Sequence, residues 1–133
     1  MPFTLDDKFL LSAEEKLGAK LPDSYRQAMM AANGGEVATG LDDWYLYPIM
    51  DSTDRKRLAR TCNDVVAESM RLAEWERFPR QALAIANNGE GDQLLFLRSG
   101  DRYGPAVYCW SHESGELTKV AEDFAQLERL QQA

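Results

Sequence analysis

Imidazole and thiol are scarce in this chain. Its 133 residues include one histidine, His112, and two cysteines, Cys62 and Cys109. Any Ser-His-Asp or Cys-His machinery must use His112 or be absent. A tetrahedral zinc site needs about four nitrogen or sulfur ligands, and these scattered residues do not supply them. The cysteines form no C-x-x-C pair, and nothing in their spacing argues for a disulfide. Neither G-x-G-x-x-G nor G-x-x-x-x-G-K-[ST] occurs, so the chain has no nucleotide fingerprint. The apolar runs fall far short of the roughly 20 residues a membrane span needs. The opening Pro2-Phe3-Thr4-Leu5-Asp6-Asp7 has neither the basic start nor the apolar stretch of an export signal. With no Asn-x-Ser/Thr site either, the reducing cytoplasm is the expected compartment.

Basic residues are missing from three long stretches. Gln27 to Asp54 has no Lys or Arg but carries Glu36, Asp42, Asp43, Asp51 and Asp54. Gln81 to Leu97 carries Glu90 and Asp92, and Tyr103 to Thr118 carries Glu113 and Glu116, again without a base. The bases gather elsewhere, at Arg55, Lys56, Arg57 and Arg60 and then at Arg71, Arg77 and Arg80. With a formal charge of −7, the surface repels phosphate backbones and anionic lipid. Nucleic acid and membrane are therefore not the expected partners.

What is present is the material of one folded domain. Hydrophobic residues make up 44% of the chain and charged ones 28%, a globular balance rather than a disordered one. Thr4 is placed to cap a first helix in which Leu10, Ala13 and Leu17 recur at helical spacing, with Gly18 as its stop. Leu21-Pro22-Asp23 restarts a helix with Tyr25, Met29 and Ala32 on its inner face, ended by Asn33-Gly34-Gly35. Trp44 to Ile49 reads as a strand, with Pro48 at its edge or end. Ser52 to Arg60 reads as a short polar helix. Asn63 is placed to cap a longer one whose shared face is Val66, Met70 and Ala73, closed by Trp75 and Phe78. The second half is punctuated as a meander: strands over Ala82–Ala86, Gln93–Leu97, Pro105–Trp110 and Glu116–Val120, separated by Gly-, Asn- and Ser-rich turns. Phe124, Leu127 and Leu130 describe a closing amphipathic helix. Short turns between strands imply an antiparallel sheet, with helices against one side.

Several groups of residues carry both a chemical and a structural reading. Cys109 precedes His112 by three positions; on a strand their side chains point to opposite faces, although a turn changes that geometry. Asn88-x-Glu90-x-Asp92 alternates oxygen side chains as calcium loops do, but without the twelve-residue span and closing Glu. Asn-Gly and Gly-Asp are equally at home in a hairpin turn. Adjacent Asp42 and Asp43 can be an acid/base pair or surface acids. Trp44 and Trp110 can anchor an interface or fill the core. The Arg55–Arg60 run is a solvated helix face or an anion site. No catalytic constellation emerges, and neither a cofactor nor a metal is expected.

An ordered series of motifs goes further. Glu14-Glu15-Lys16-Leu17-Gly18 precedes Leu21-Pro22-Asp23-Ser24-Tyr25, followed by Asn33-Gly34-Gly35 and Trp44-Tyr45-Leu46-Tyr47-Pro48. Then come Ile85-Ala86-Asn87-Asn88-Gly89, Gly91-Asp92, Gly104-Pro105-Ala106-Val107-Tyr108, Trp110, His112-Glu113 and Val120-Ala121-Glu122-Asp123-Phe124. In this order they resemble the SMI/KNR branch of the SUKH superfamily over nearly the whole chain. The resemblance implies one SMI/KNR-type domain over residues 1–133. Its fold would be α+β, a twisted, mostly antiparallel β-sheet with helices packed around it. Leu17, Leu21, Tyr25 and Trp44 would pack the core, and Gly34, Gly35, Gly89 and Gly91 would permit turns. The resemblance also implies a bacterial immunity protein that binds and neutralises a toxin, often a nuclease; eukaryotic relatives act as regulatory interaction proteins. No catalytic residues carry over.

A nuclease needs a positive surface to hold phosphates. The expected partner is thus a basic toxin domain, met by acids among Asp42, Asp43, Glu90, Asp92, Glu113 and Glu116. Two other classes stay open: an adaptor for an endogenous protein, and a small hydrolase or metal-binding domain built around Cys109–His112 or a buried carboxylate.

Overall fold

Asp6, not Thr4, begins the first helix. Its carboxylate accepts the Lys8 N–H at 3.0 Å, bringing both an acceptor and a charge to the positive end of the helix dipole. Helix α1 (Asp7–Leu17) buries Phe9, Leu10 and Ala13 and ends at Gly18, whose N–H reaches the Glu14 carbonyl. The computed structural model describes residues 2–40 and 42–130. Helix α2 (Asp23–Ala31) starts after Pro22 and buries Tyr25 and Met29. Tyr25 meets Phe96 and Phe124 edge to face, with ring centroids 5.1 and 5.2 Å apart. Asn33 closes this region by clamping Ile49: its amide donates to the Ile49 carbonyl and accepts the Ile49 N–H, both at 2.8 Å.

Strands β1 (Glu36–Ala38) and β2 (Asp43–Leu46) form a hairpin. The second strand stops before Pro48, which has no N–H for a ladder but whose carbonyl accepts the Val65 N–H. Helix α3 (Arg55–Arg60) is capped by Asp54 and buries none of its residues. Helix α4 (Val65–Leu72) is capped by Asp64 rather than Asn63, and the Asp64 carboxylate accepts both the Val66 and Ala67 N–H groups.

The expected stripe of α4 is displaced. Its buried residues are Val65, Ser69 and Leu72, while Met70 is 70% exposed. Apolar periodicity cannot find this face because its middle position is a serine. Ser69 Oγ is buried because it accepts the Ala84 N–H at 2.8 Å, which satisfies both groups.

The second half gives β3 (Leu83–Asn87), β4 (Gln93–Phe96), the small ribbon β5 (Arg98–Ser99) and β6 (Arg102–Tyr103), β7 (Val107–Trp110) and β8 (Leu117–Ala121). A seven-stranded sheet runs β8-β7-β4-β3-β2-β1-β9, where β9 is Glu128–Leu130, and every pairing in it is antiparallel. The fold is α+β, with helices around this sheet.

Two further expectations are corrected. The closing helix is a single 3-10 turn, Phe124–Gln126, followed by β9 on the edge of β1. Residues three apart suit one tight turn as well as a helix. Here the free hydrogen-bonding edge of β1 captures the chain, and Arg129 fastens it to the carbonyls of Ala32 and Gly34 at 3.1 and 2.7 Å. Nor do the helices keep to one side. Phe96 meets Tyr25 of α2, while Gln93, on the opposite face of β4, pairs with Trp110, which packs on Phe78 beyond α4. With both faces covered, β4 is buried at every position.

Candidate protein-binding surface

Strand register brings the acid-rich segments to one place. The β1–β2 hairpin closes at Ala38↔Asp43, β3–β4 at Asn87↔Gln93, and β7–β8 at Trp110↔Leu117. Tyr45 lies opposite Asn87 and Gln93 opposite Trp110, so the three turns project from the same end of the sheet. Asp42 and Asp43, Glu90 and Asp92, and Glu113 and Glu116 all occupy this end.

Side-chain bonds stitch the turns together. Asn88 Nδ2 donates to Asp42 Oδ2 at 3.0 Å and to Asp92 Oδ2 at 3.2 Å. Asp92 Oδ1 accepts the His112 backbone N–H at 3.1 Å and lies 2.7 Å from His112 Nδ1. Burial raises the Asp92 carboxyl pKa, but bonds from His112 and Asn88, with the attraction of His112, outweigh it and hold the group below the usual carboxylate range. The ring lies over Gly91, at φ +107, where an added Cβ would sit 3.0 Å from three ring atoms. The Gly-Asp pair is therefore a seat for His112: glycine leaves the space and aspartate holds the ring.

This geometry favours the turn reading of Asn88-x-Glu90-x-Asp92. Asn88 Oδ1 accepts the Glu90 N–H and Asn87 Oδ1 the Gly89 N–H, each at 2.9 Å, so these oxygens serve the turn's own backbone. Among the described residues, no three His, Cys, Asp or Glu are grouped to hold a metal ion. His112 turns its Nδ1 to Asp92 rather than to a thiol. Burial, then the charges of Asp92 and Asp42, push the Cys109 thiol up, away from the thiolate a nucleophile requires. Exposed Cys62 should accordingly react with iodoacetamide near neutral pH at least about tenfold faster than Cys109. Mass mapping of the alkylated sites reads this directly, and a fast Cys109 would restore the nucleophile reading.

Structure adds what segment-wise reading missed. Arg77 enters the acidic end, its Nη1 donating to the Glu113 carbonyl at 2.7 Å, although in sequence it belongs with the distant bases. Two exposed aromatic rings also stand here: Tyr45, 52% exposed, and Trp75, 46% exposed and edge-on to His112 at 6.4 Å. The alternation of β2 signals Tyr45, since buried Trp44 and Leu46 flank it. Trp75 has no such signal, because it lies in an irregular segment beyond α4. Trp44 and Trp110 are core residues. The Arg55–Arg60 run forms α3, past the other end of β2, with Arg57 and Arg60 set 4.5 and 4.7 Å from the Phe3 ring centre.

The molecule is thus an α+β domain whose central sheet is wrapped by helices and whose conspicuous polar groups face outward on hairpin turns. A model of the SMI1 / KNR4 family (SUKH-1) matches residues 4–129, and the chain belongs to that family. No curated protein matches it. No helix among the described residues is long and apolar enough to cross a membrane.

Proposed function

We propose that this chain is a non-enzymatic protein-binding domain, a bacterial immunity protein that neutralises a toxin domain with a basic surface, such as a nuclease, in the cytoplasm. Family membership supports the class. The carrying observation is the convergence of Asp42, Asp43, Glu90, Asp92, Glu113 and Glu116 from three hairpins onto one end of the sheet. Acids gathered this way steer a cationic partner and match its charge, raising the association rate more than the final affinity.

The test reverses Asp43, Glu90, Glu113 and Glu116 together, leaving Asp42 and Asp92 because their carboxylates hold the turns. The natural partner to assay is the product of the adjacent upstream gene. At low salt the reversal should slow association by about a hundredfold and flatten its salt dependence. Unchanged toxin inhibition at low salt would remove this face from consideration.

A further inference from the structure

We infer that the acidic end receives its partner through arginine side chains, seated on the Tyr45 ring between carboxylates. This rests on the reading of that end as a docking face for a basic protein, and adds the chemistry of the docking group.

The site follows from register. Residues directly opposed in an antiparallel ladder point to the same face. Tyr45 lies opposite Glu36, and Glu36 opposite Leu130 of β9; Asp43 lies opposite Ala38, and Ala38 opposite Glu128. Across the sheet the same face continues through Asn87 and Gln93 to Trp110, where the segment after α4 covers it. Over β2, β1 and β9, among the described residues, Asp43, Tyr45 and Glu128 are exposed and Glu36 partly so. The sheet thus presents a half-exposed aromatic ring flanked by carboxylates along its own strand and across the neighbouring ones.

Arg129 of β9 spends its guanidinium on the Ala32 and Gly34 carbonyls. The Tyr45 ring edge borders the β3–β4 turn, where a Cβ on Gly89 would come within 4.0 Å of Cε2.

A ring beside carboxylates discriminates between the two basic side chains. Guanidinium is planar and weakly hydrated, so it can stack on the ring while its N–H fork engages a carboxylate in the same plane. Lysine's ammonium is a strongly hydrated point charge that gains from the carboxylates but little from the exposed ring. A face selecting for positive charge alone needs no aromatic; one selecting for arginine does.

The experiment titrates nona-arginine and nona-lysine into the intact chain at low salt, following amide shifts at positions 36, 43–45 and 128–130. The wild-type chain should bind nona-arginine about fivefold tighter. Tyr45→Ala should remove that preference while leaving nona-lysine within about twofold, and Tyr45→Phe should keep it. Equal affinities in the wild type, or a preference that survives Tyr45→Ala, would overturn the inference. Should Tyr45→Ala fail to fold, Tyr45→Gln carries the same comparison. A concentration-dependent dimer abolished by the Tyr45 variant would make a second copy the occupant and also overturn it. The four-acid reversal separates the two readings. If it weakens both peptides in a protein with no arginine preference, only this inference fails. If neither peptide responds to it, the docking-face reading fails too.

Discussion

Gly91→Ala is expected to destabilise the fold by about 3 kcal/mol, a loss of roughly 10 °C in melting temperature for a domain of this length. Two separate effects combine. At φ +107 any side chain strains the backbone, by about 1–2 kcal/mol. The new Cβ would also sit 3.0 Å from three atoms of the His112 imidazole, and that ring cannot simply move aside. Asp92 holds it through Nδ1 at 2.7 Å and through the backbone N–H at 3.1 Å. Displacing the ring weakens a charge-assisted bond that joins the β3–β4 and β7–β8 turns, worth about another 1–3 kcal/mol.

The two effects can be separated by thermal melts. Gly40→Ala, at φ +88 with nothing within 4 Å of the added Cβ, carries backbone strain alone and should cost about 1 kcal/mol. Removing the ring in the Gly91→Ala background, by His112→Ala, should make the double variant more stable than the sum of the singles by more than about 1 kcal/mol. Additive losses would mean that the histidine does not rest on the glycine.

The same pair shows where sequence was legible and where it was not. Asn87 to Asp92 reads as a hairpin turn from its composition, because the turn's hydrogen bonds are local: Asn87 and Asn88 bond backbone groups two residues on. That Asp92 reaches His112, and Asn88 reaches Asp42, depends on strand register across the sheet, which no local pattern encodes. Helix starts were legible to within three residues, the widest miss being α3, expected at Ser52; where a carboxylate caps the helix, at α1, α3 and α4, which Asp serves is chosen by geometry. The strand at the chain's end was illegible for a different reason: β9 exists because β1 has a free edge, a tertiary fact. The acids were visible as runs without Lys or Arg. Their convergence required the topology, and so did the arrival of Arg77 among them.

Trp110→Ala should be the most damaging single substitution considered for this end, at about 4 kcal/mol or roughly 12 °C. Trp110 is 1% exposed and stands where β7 enters the turn that carries Glu113 and Glu116. Phe78 meets it edge-on at 5.2 Å and Trp75 at 6.1 Å, and its Nε1 donates to the Arg77 carbonyl at 3.1 Å. These contacts help pin the segment between α4 and β3, whose own backbone bonds are single turns such as Trp75 N–H to the Leu72 carbonyl. Truncation opens a cavity beneath that segment and leaves the Arg77 carbonyl without its donor. Arg77 is also the residue whose guanidinium reaches the Glu113 carbonyl, so the acidic turn loosens with it. Two measurements identify this mechanism rather than general core loss. Trp110→Phe keeps the ring contacts and forfeits the N–H, so denaturant midpoints should show a loss of about 1–2 kcal/mol. Amide exchange in Trp110→Ala should quicken first over Glu74–Phe78 and the β7–β8 turn, ahead of β3 and β4. If protection fell uniformly, the indole would be acting as core volume and not as the clasp that holds the acidic end in shape.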